Sequence, residues 1–426
     1  MKKIKIKRIF TLLLSSMFLF PFFSVPISAV AQEPINEGVQ TKELKFNKDG
    51  KFKILVLADI QDTNMPQKET MELVNAAIDK TNPDFIALAG DNIAGWWKGV
   101  DKEQTKQAID AFSKAIDDRG IPFALVFGNH DHEGLCDEEN KMSEEEAKEL
   151  MLSWYQAYDT CMAIEGEEMT GVGNYNLTIK DSTGTKDVYN LWFMDSNPYT
   201  PEEEGGGYGY VHEDQTAWYK KNSNELKEKN GGEPLPSMLF QHIVVPEVYD
   251  MFNVVSPFTK GAVRGHGKYS DKYYVPNADY VYEGLLNEGP CPPDVNHGQF
   301  DSWVEQGDIV AAIFGHDHSN SYGGKYKGIY MLAAPGCTYY SYGNNHGVRT
   351  ITLSEDDLTT FKSDLYTYKD LVGHEVSNSF VRTHGYYEYK HKFIPLVCGG
   401  VALVAVVGVA IGFGIKYGKK HKNKGK

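Results

Sequence analysis

Five apolar runs in this chain each stop on a side chain that can ligate a cation. Residues 53–57 run into Ala58-Asp59-Ile60-Gln61, 84–89 into Gly90-Asp91-Asn92, and 123–127 into Gly128-Asn129-His130-Asp131. Further along, 237–240 delivers Gln241-His242 and 309–314 delivers Gly315-His316-Asp317-His318. Taken singly, Asp59, Asp91 and Asn129 read equally well as turn or cap residues, since loops beyond strands favour short polar side chains. Five ends presenting Asp, Asp, Asn, His and a His pair in that order ask for one account. Strands of a shared sheet system would bring their carboxyl ends together and hold these groups on a rigid scaffold.

The intervening segments supply the rest of such a scaffold. Residues 68–80 set Met71, Val74, Ala77 and Ile78 on one face and stop before Asn82-Pro83, and 101–118 do the same with Ala108, Phe112, Ala115 and Ile116. This alternation predicts a right-handed, largely parallel sheet covered by helices, with functional groups beyond the carboxyl ends of the strands. Ser143 and Glu146 have the spacing of a capping box for a helix over 143–158. Residues 174–180 and 187–194 read as paired strands, 213–229 and 300–306 as helices, and 328–333 and 348–353 as the last strands. The stretch 244–298, rich in Gly, Pro and Tyr, reads as an excursion that covers a site. Gly205-Gly206-Gly207-Tyr208-Gly209-Tyr210 reads as a flexible loop, because a phosphate-binding P-loop needs Gly-Lys-Ser/Thr opening a helix.

The two ends of the chain differ from its middle. Residues 1–31 have a basic start, an apolar centre and Ala29-Val30-Ala31, which reads as a signal peptide; an uncleaved anchor is the alternative, opposed by Pro21 and Pro26. Residues 32–47 read as a linker, 48–355 as the main domain and 356–392 as a closing segment and stalk. Residues 393–415 are apolar, uncharged and long enough to cross a bilayer as one helix, followed by a basic tail, 416–426, that would stay cytoplasmic. The expected arrangement is a single-pass cell-membrane protein with its main domain outside. Eleven of the 43 basic residues and none of the 58 acidic ones lie in these terminal segments, so the middle is strongly acidic and no nucleic-acid partner is expected. Cys136, Cys161, Cys291 and Cys337 allow one or two disulfides in three pairings.

A carboxylate can bridge two divalent ions, each completed by nitrogen and oxygen donors, and the pair can activate water for attack on phosphorus. Asp91 is the natural bridge, with Asp59 and His318 on one side and Asn129, His242 and His316 on the other. His130 is a candidate acid for the departing alkoxide, and its other reading is a group that orients substrate. His132, His212, His266, His297 and His346 read as surface or substrate-loop residues. His266 is set apart because Gly265-His266-Gly267 permits close approach of a ligand. Asp131 and Asp317 read as loop-orienting residues, and Trp96 and Trp97 as packing groups, with stacking on a base as their alternative.

Asp59-x-Gln61, Gly90-Asp91, Gly128-Asn129-His130-Asp131, His242 and Gly315-His316-Asp317-His318 resemble the ordered blocks of the calcineurin-like metallophosphoesterases. Gln241-His242-Ile243-x-x-Pro246-Glu247 and Asp214-Gln215-x-x-Trp218-Tyr219 are similar to the purple-acid-phosphatase-like branch. The resemblance implies an α/β fold, a four-layer αββα sandwich, here with one C-terminal transmembrane helix. It also implies two divalent ions, manganese, zinc, iron or magnesium, and hydrolysis of a small phosphorylated substrate by a metal-bound hydroxide. This chain departs from the family in two places. Gln61 stands where histidine is common, with Asp62 as a possible substitute, and Asn92-Ile93-Ala94-Gly95-Trp96 lacks the tyrosine that colours the purple enzymes. The Asp59 ion is therefore expected to be held more weakly. Phosphomonoesters are the expected substrates. A diesterase acting on a cyclic nucleotide or lipid headgroup, or a weakened surface binding protein, are the alternatives.

Overall fold

The computed structural model describes residues 43–96, 101–136 and 140–397. The expected signal peptide, the basic tail and all of the expected membrane helix except 393–397 lie outside the described residues. Among the described residues no helix is long and apolar enough to cross a membrane.

In chain order the first elements are β1 (Leu44–Lys45), β2 (Lys51–Leu57), α1 (Lys68–Thr81), β3 (Phe85–Ala89), α2 (Lys102–Asp117) and β4 (Phe123–Val126). There follow α3 (Glu144–Tyr155), β5 (Tyr175–Lys180), β6 (Asp187–Phe193), α4 (Glu213–Lys229) and β7 (Ser237–Gln241). The middle excursion holds β8 (Phe252–Val255), β9 (Val263–Arg264), β10 (Tyr273–Pro276) and β11 (Val281–Glu283). The chain then forms α5 (Gln299–Gln306), β12 (Ile309–Phe314), β13 (Gly323–Tyr326), β14 (Ile329–Ala333), β15 (Gly347–Ser354) and β16 (Asp357–Thr367). Two short helices, α6 (Tyr368–Val372) and α7 (Val381–Glu388), come after it.

Instead of one largely parallel sheet, the described residues form two large mixed sheets and, within the excursion, a small antiparallel one, β8-β10-β9. The first has the order β16-β15-β2-β3-β4 and the second β1-β5-β6-β7-β12-β14-β13-β11. The β2, β3 and β4 strands are parallel as the helical crossovers require, but β15 runs antiparallel to β2 and carries β16 at the edge. The expected closing segment thus begins as the edge strand of the first sheet. At the other end of the domain, the last residues of the expected linker form β1, paired with β5.

Side-chain alternation along the second sheet shows how the layers stack. Leu191 and Phe193 of β6, and Ala311 and Ile313 of β12, face a core shared with the first sheet, where Phe193 meets Phe85 of β3 edge-on at 6.2 Å. Trp192, Ala312 and Phe314 point the other way, into a second core closed by Trp218 and Tyr219 of α4 and Phe300 and Trp303 of α5. Successive strand residues face opposite sides, so a strand buried on both faces needs a sheet on one side and helices on the other. Arg349 of β15 fastens the two sheets at one edge. Its guanidinium, fully buried, donates to Glu283 of β11 at 2.5 Å, to the Ala333 carbonyl of β14 at 3.0 Å, to the Ser321 carbonyl at 2.7 Å and to Ser363. A buried cation is tolerable only when its donors are satisfied in this way.

Candidate metal centre

Three of the five ligand-bearing ends, after β2, β3 and β4, belong to the first sheet, and two, after β7 and β12, are neighbours in the second. The centre therefore sits where the carboxyl ends of both sheets meet. Bringing the chains this close strains the backbone. Asp59 (φ 49°), Gln61 (φ 37°), Asp91 (φ 46°) and His316 (φ 72°) all occupy the left-handed region that side-chain-bearing residues avoid. The neighbouring glycines are required for the same reason. A Cβ at Gly90 would stand 2.5 Å from the His242 ring, and one at Gly128 would stand 2.1 Å from the Asp91 carboxylate.

Asp91 lies at the middle of the arrangement. Its Oδ1 accepts from the His130 backbone N–H at 2.8 Å, and its Oδ2 accepts from Gln61 Nε2 at 2.9 Å and lies 3.4 Å from His242 Nε2. His242 donates from Nδ1 to the Ala89 carbonyl at 2.9 Å, which turns Nε2 toward Asp91 and toward Asn129 Oδ1 at 3.2 Å. His318 is oriented in the same fashion, with Nδ1 on the Tyr342 carbonyl at 2.8 Å and Nε2 3.4 Å from Asp59 Oδ1. The His316 backbone N–H donates to both Asp59 oxygens. Anchoring one ring nitrogen on a carbonyl and presenting the other is how proteins prepare histidine for a metal.

Two groups of three result, Asp59, Asp91 and His318, and Asp91, His242 and His316; within each group the ligand atoms lie within 4.8 Å of one another. Asp91 is common to both. The buried His316 Nε2 and Gln61 Oε1 have no hydrogen-bond partner among the described residues, and His242 Nε2 faces two oxygens. These residues fit cations, because buried polar atoms are rarely left unsatisfied and only a proton or a metal reconciles Nε2 with those oxygens. Protonation follows the same logic. Burial disfavours the imidazolium, yet Asp91 lifts His242 to about 10 and Asp59 lifts His318 to about 9. Burial would raise the Asp91 carboxyl, but the His242 and His130 charges hold it well below the usual range. His316, pushed far down first by burial and then by His242, is neutral.

His130 lies beside this centre. Burial works against its protonation, while the Asp91 and Glu133 carboxylates outweigh burial and raise its pKa. Its Nδ1 lies 2.9 Å from Glu133 Oε2, Tyr199 donates to the other Glu133 oxygen at 3.2 Å, and Asn129 Nδ2 donates to Tyr199 at 2.9 Å. The Asn129 amide is thereby turned so that its oxygen faces His242. Tyr208 stands edge-on to His316 at 4.3 Å and its ring is 5.4 Å from His266.

Glu133 and Tyr199 are absent from the sequence reading, and Tyr208 enters it only as part of the glycine-rich loop. The loop read as flexible in fact bridges back, Tyr199 to Tyr208, and walls the centre. Its run of glycines beside tyrosines was the available signal. His266 meets that wall, its ring 5.4 Å from that of Tyr208.

Several other expectations are corrected. Asp62 does not replace Gln61, because its oxygens accept from the Thr63 and Gln67 N–H groups at the entry to α1. His132 and His346 are buried, not at the surface. Cys161, Cys291 and Cys337 are thiols, so none of the disulfide pairings that the sequence allows is formed among the described residues. Asp131, accepting from Gly128 and Ile93 N–H groups, orients its loop as expected. Asp317 accepts from the Cys291 N–H and also lies in a compact group with Cys291 and His316. Trp96 packs against Tyr340 and Tyr387, and Trp97 lies outside the described residues.

Comparison with known proteins agrees with this geometry. The chain is 28% identical to an Arabidopsis thaliana protein named "Probable inactive purple acid phosphatase 29", over 77% of this chain and 83% of that one. It is equally identical to "Probable inactive purple acid phosphatase 14" of the same plant, over 74% and 78% respectively. Against phosphatase DCR2 of Saccharomyces cerevisiae it is 26% identical over 69% of this chain and 48% of the yeast protein. A family model described as calcineurin-like phosphoesterase matches residues 52–320. With most of its length covered by that match, the chain belongs to the calcineurin-like phosphoesterase family and is a hydrolase of the metallophosphoesterase type.

Proposed function

We propose that this protein is a metal-dependent phosphomonoesterase, held at the outer face of a membrane by residues 393–415. The observation that carries the catalytic part is the sharing of Asp91 between two compact ligand groups. Asp59, Gln61 and His318 would hold one cation and Asn129, His242 and His316 the other, with Asp91 between them. Bound divalent cations supply Lewis-acid stabilisation of phosphoryl charge and lower the pKa of water.

The chain's own groups do the remainder. The His130 backbone N–H fixes Asp91, and Glu133 fixes the His130 ring through Nδ1, leaving Nε2 to hand a proton to the departing alkoxide. Tyr199 holds the Asn129 amide in the orientation that offers its oxygen to the centre. A cleft of about 350 Å³ lined by Tyr199, Tyr208 and His266 adjoins the site, with room for one organic arm of an ester. The membrane location rests on the apolar, uncharged character of 393–415 and the basic residues that follow.

The test uses the purified full chain with p-nitrophenyl phosphate and bis(p-nitrophenyl) phosphate, after chelation and with manganese, zinc, iron or magnesium restored. Faster hydrolysis of the monoester, abolished by chelator and recovered with metal, is expected. Faster diester hydrolysis would replace the monoesterase reading. A second reading, a binding protein with weakened catalysis, is favoured by Gln61, whose amide donates to Asp91 where the family commonly has histidine. Absence of turnover with every metal would establish it. Protease treatment of intact cells, which should remove the catalytic domain, checks the topology.

A further inference from the structure

The cleft beside the centre has a chemistry of its own. Its inner wall is made by Tyr199 and Tyr208, whose rings are 6.1 Å apart and inclined by only 24°, with the His266 ring next in line. Pro292 adds an apolar surface, and the remaining charged lining groups are the carboxylates of Glu202 and Asp294. These two flank consecutive glycines. A Cβ at Gly206 would stand 3.3 Å from Glu202 Oε2, and one at Gly207 would stand 3.5 Å from Asp294 Oδ2. Ordinary contact with these carboxylates would be tolerated, and it is the left-handed backbone, φ 68° at Gly206 and 89° at Gly207, that calls for glycine here. Lys268 is not among the lining residues but offsets part of the Asp294 charge, which leaves Glu202 as the carboxylate with no cation beside it in the lining. Its ammonium donates to the Asp294 main-chain carbonyl and its backbone N–H to Asp294 Oδ1, an arrangement that fixes Asp294 in place.

Aromatic faces backed by carboxylates attract organic cations and repel additional phosphates. We infer that the cleft receives the esterified alcohol of the substrate and that this alcohol carries a positive charge, as in a choline or ethanolamine phosphomonoester. The inference rests on the phosphomonoesterase reading for its placement of the phosphate at Asp91. From there, Tyr208 spans the distance between centre and cleft, in contact with His316 on one side and His266 on the other. A nucleoside di- or triphosphate would place further negative charge against Glu202 and Asp294, and a neutral polyol phosphate would gain nothing from them.

Two measurements on the full chain test this. In the first, kcat/KM for phosphocholine is compared with that for glycerol 3-phosphate, in the native protein and in Glu202→Gln and Glu202→Lys. The choline ester should be preferred by about tenfold. That preference should shrink in Glu202→Gln and reverse in Glu202→Lys. Glu202 is exposed at the start of the 3-10 turn Glu202–Glu204, so neither change removes a core contact. In the second, calorimetry compares binding of choline with that of its uncharged isostere 3,3-dimethylbutan-1-ol. Choline should bind more tightly, and the difference should fall in Glu202→Gln. Equal binding of the two, or a substrate preference indifferent to Glu202, would overturn the assignment. If no ester is hydrolysed at all, the phosphoesterase reading fails, and the calorimetric comparison still decides what the cleft holds.

Discussion

The two halves of the centre share Asp91 but are not built alike. On one side two imidazoles, His242 and His316, stand with the Asn129 amide oxygen. On the other, Asp59 and His318 are joined by Gln61, whose Nε2 spends itself on Asp91 Oδ2 and whose Oε1 is left buried without a partner. The first half offers borderline nitrogen donors. The second offers mostly oxygen, and its amide competes for the carboxylate oxygen that a cation would use. The halves therefore differ in donor type, nitrogen-rich against oxygen-rich, while the Gln61 amide bears on both, because the Asp91 Oδ2 it occupies is also the oxygen 3.4 Å from His242 Nε2.

The harshest way to break the comparison is to remove what the halves share. Asp91→Asn should empty both and lower turnover by on the order of a thousandfold, since several kcal/mol of charge stabilisation go with it. Elemental analysis of the purified variant checks the metal, and a chromogenic monoester checks the rate. His242→Ala separates the halves. Turnover should fall by on the order of a hundredfold, with elemental analysis showing about half the metal content of the native protein.

A pH experiment probes the loop that backs the weaker half. His346 is fully enclosed beside Tyr339, and burial pushes its pKa down to about 4 from an ordinary 6.5. The unfolded chain therefore takes up this proton first as pH falls. Stability contributed by the neutral ring is complete above pH 6.5 and is lost progressively toward pH 4. In His346→Phe the drop in unfolding free energy between pH 7 and pH 5 should shrink by about 2 kcal/mol, measured by urea denaturation at each pH.

The gentlest change sharpens the comparison by making the halves alike. Gln61→His should raise metal affinity at the Asp59 side by about tenfold, read by competitive titration with a fluorescent chelator. A variant that binds no better than the native protein would show that Gln61 is not what distinguishes the two sides.

Much of this was readable in the chain because apolar runs ending in Asp, Asn or His are local patterns. The strands leading to Asp59, Asp91, Asn129, His242 and His316 appear within a residue or two of where periodicity places them, and 213–229 and 309–314 match their elements end to end. What stayed hidden depends on partners distant in sequence. Gly323–Tyr326 has no strand pattern and becomes β13 because it pairs with β14, with Gly324 packed so close to Met251 that a Cβ would meet its sulfur at 2.6 Å. The polar β16 is a strand only because β15 supplies its ladder. The division into two sheets escapes any local pattern, since alternation tells which residues face inward and not which sheet they face. In the centre itself, the ligands announced themselves by residue type. Glu133, Tyr199 and Tyr208 did not, because positioning a ring or an amide requires no particular motif.

The left-handed backbone at Asp59, Gln61, Asp91 and His316 carries a further implication. Conformations that short peptides seldom visit are imposed here by the clasp between two sheets, so the donors are already assembled before any ion arrives. The ordering cost is met during folding and not at the moment of binding, which favours tight capture. By the same token, excised loops bearing these motifs would bind ions poorly, and a substitution that loosens the Phe85–Phe193 seam would impair metal retention well before it melted the protein.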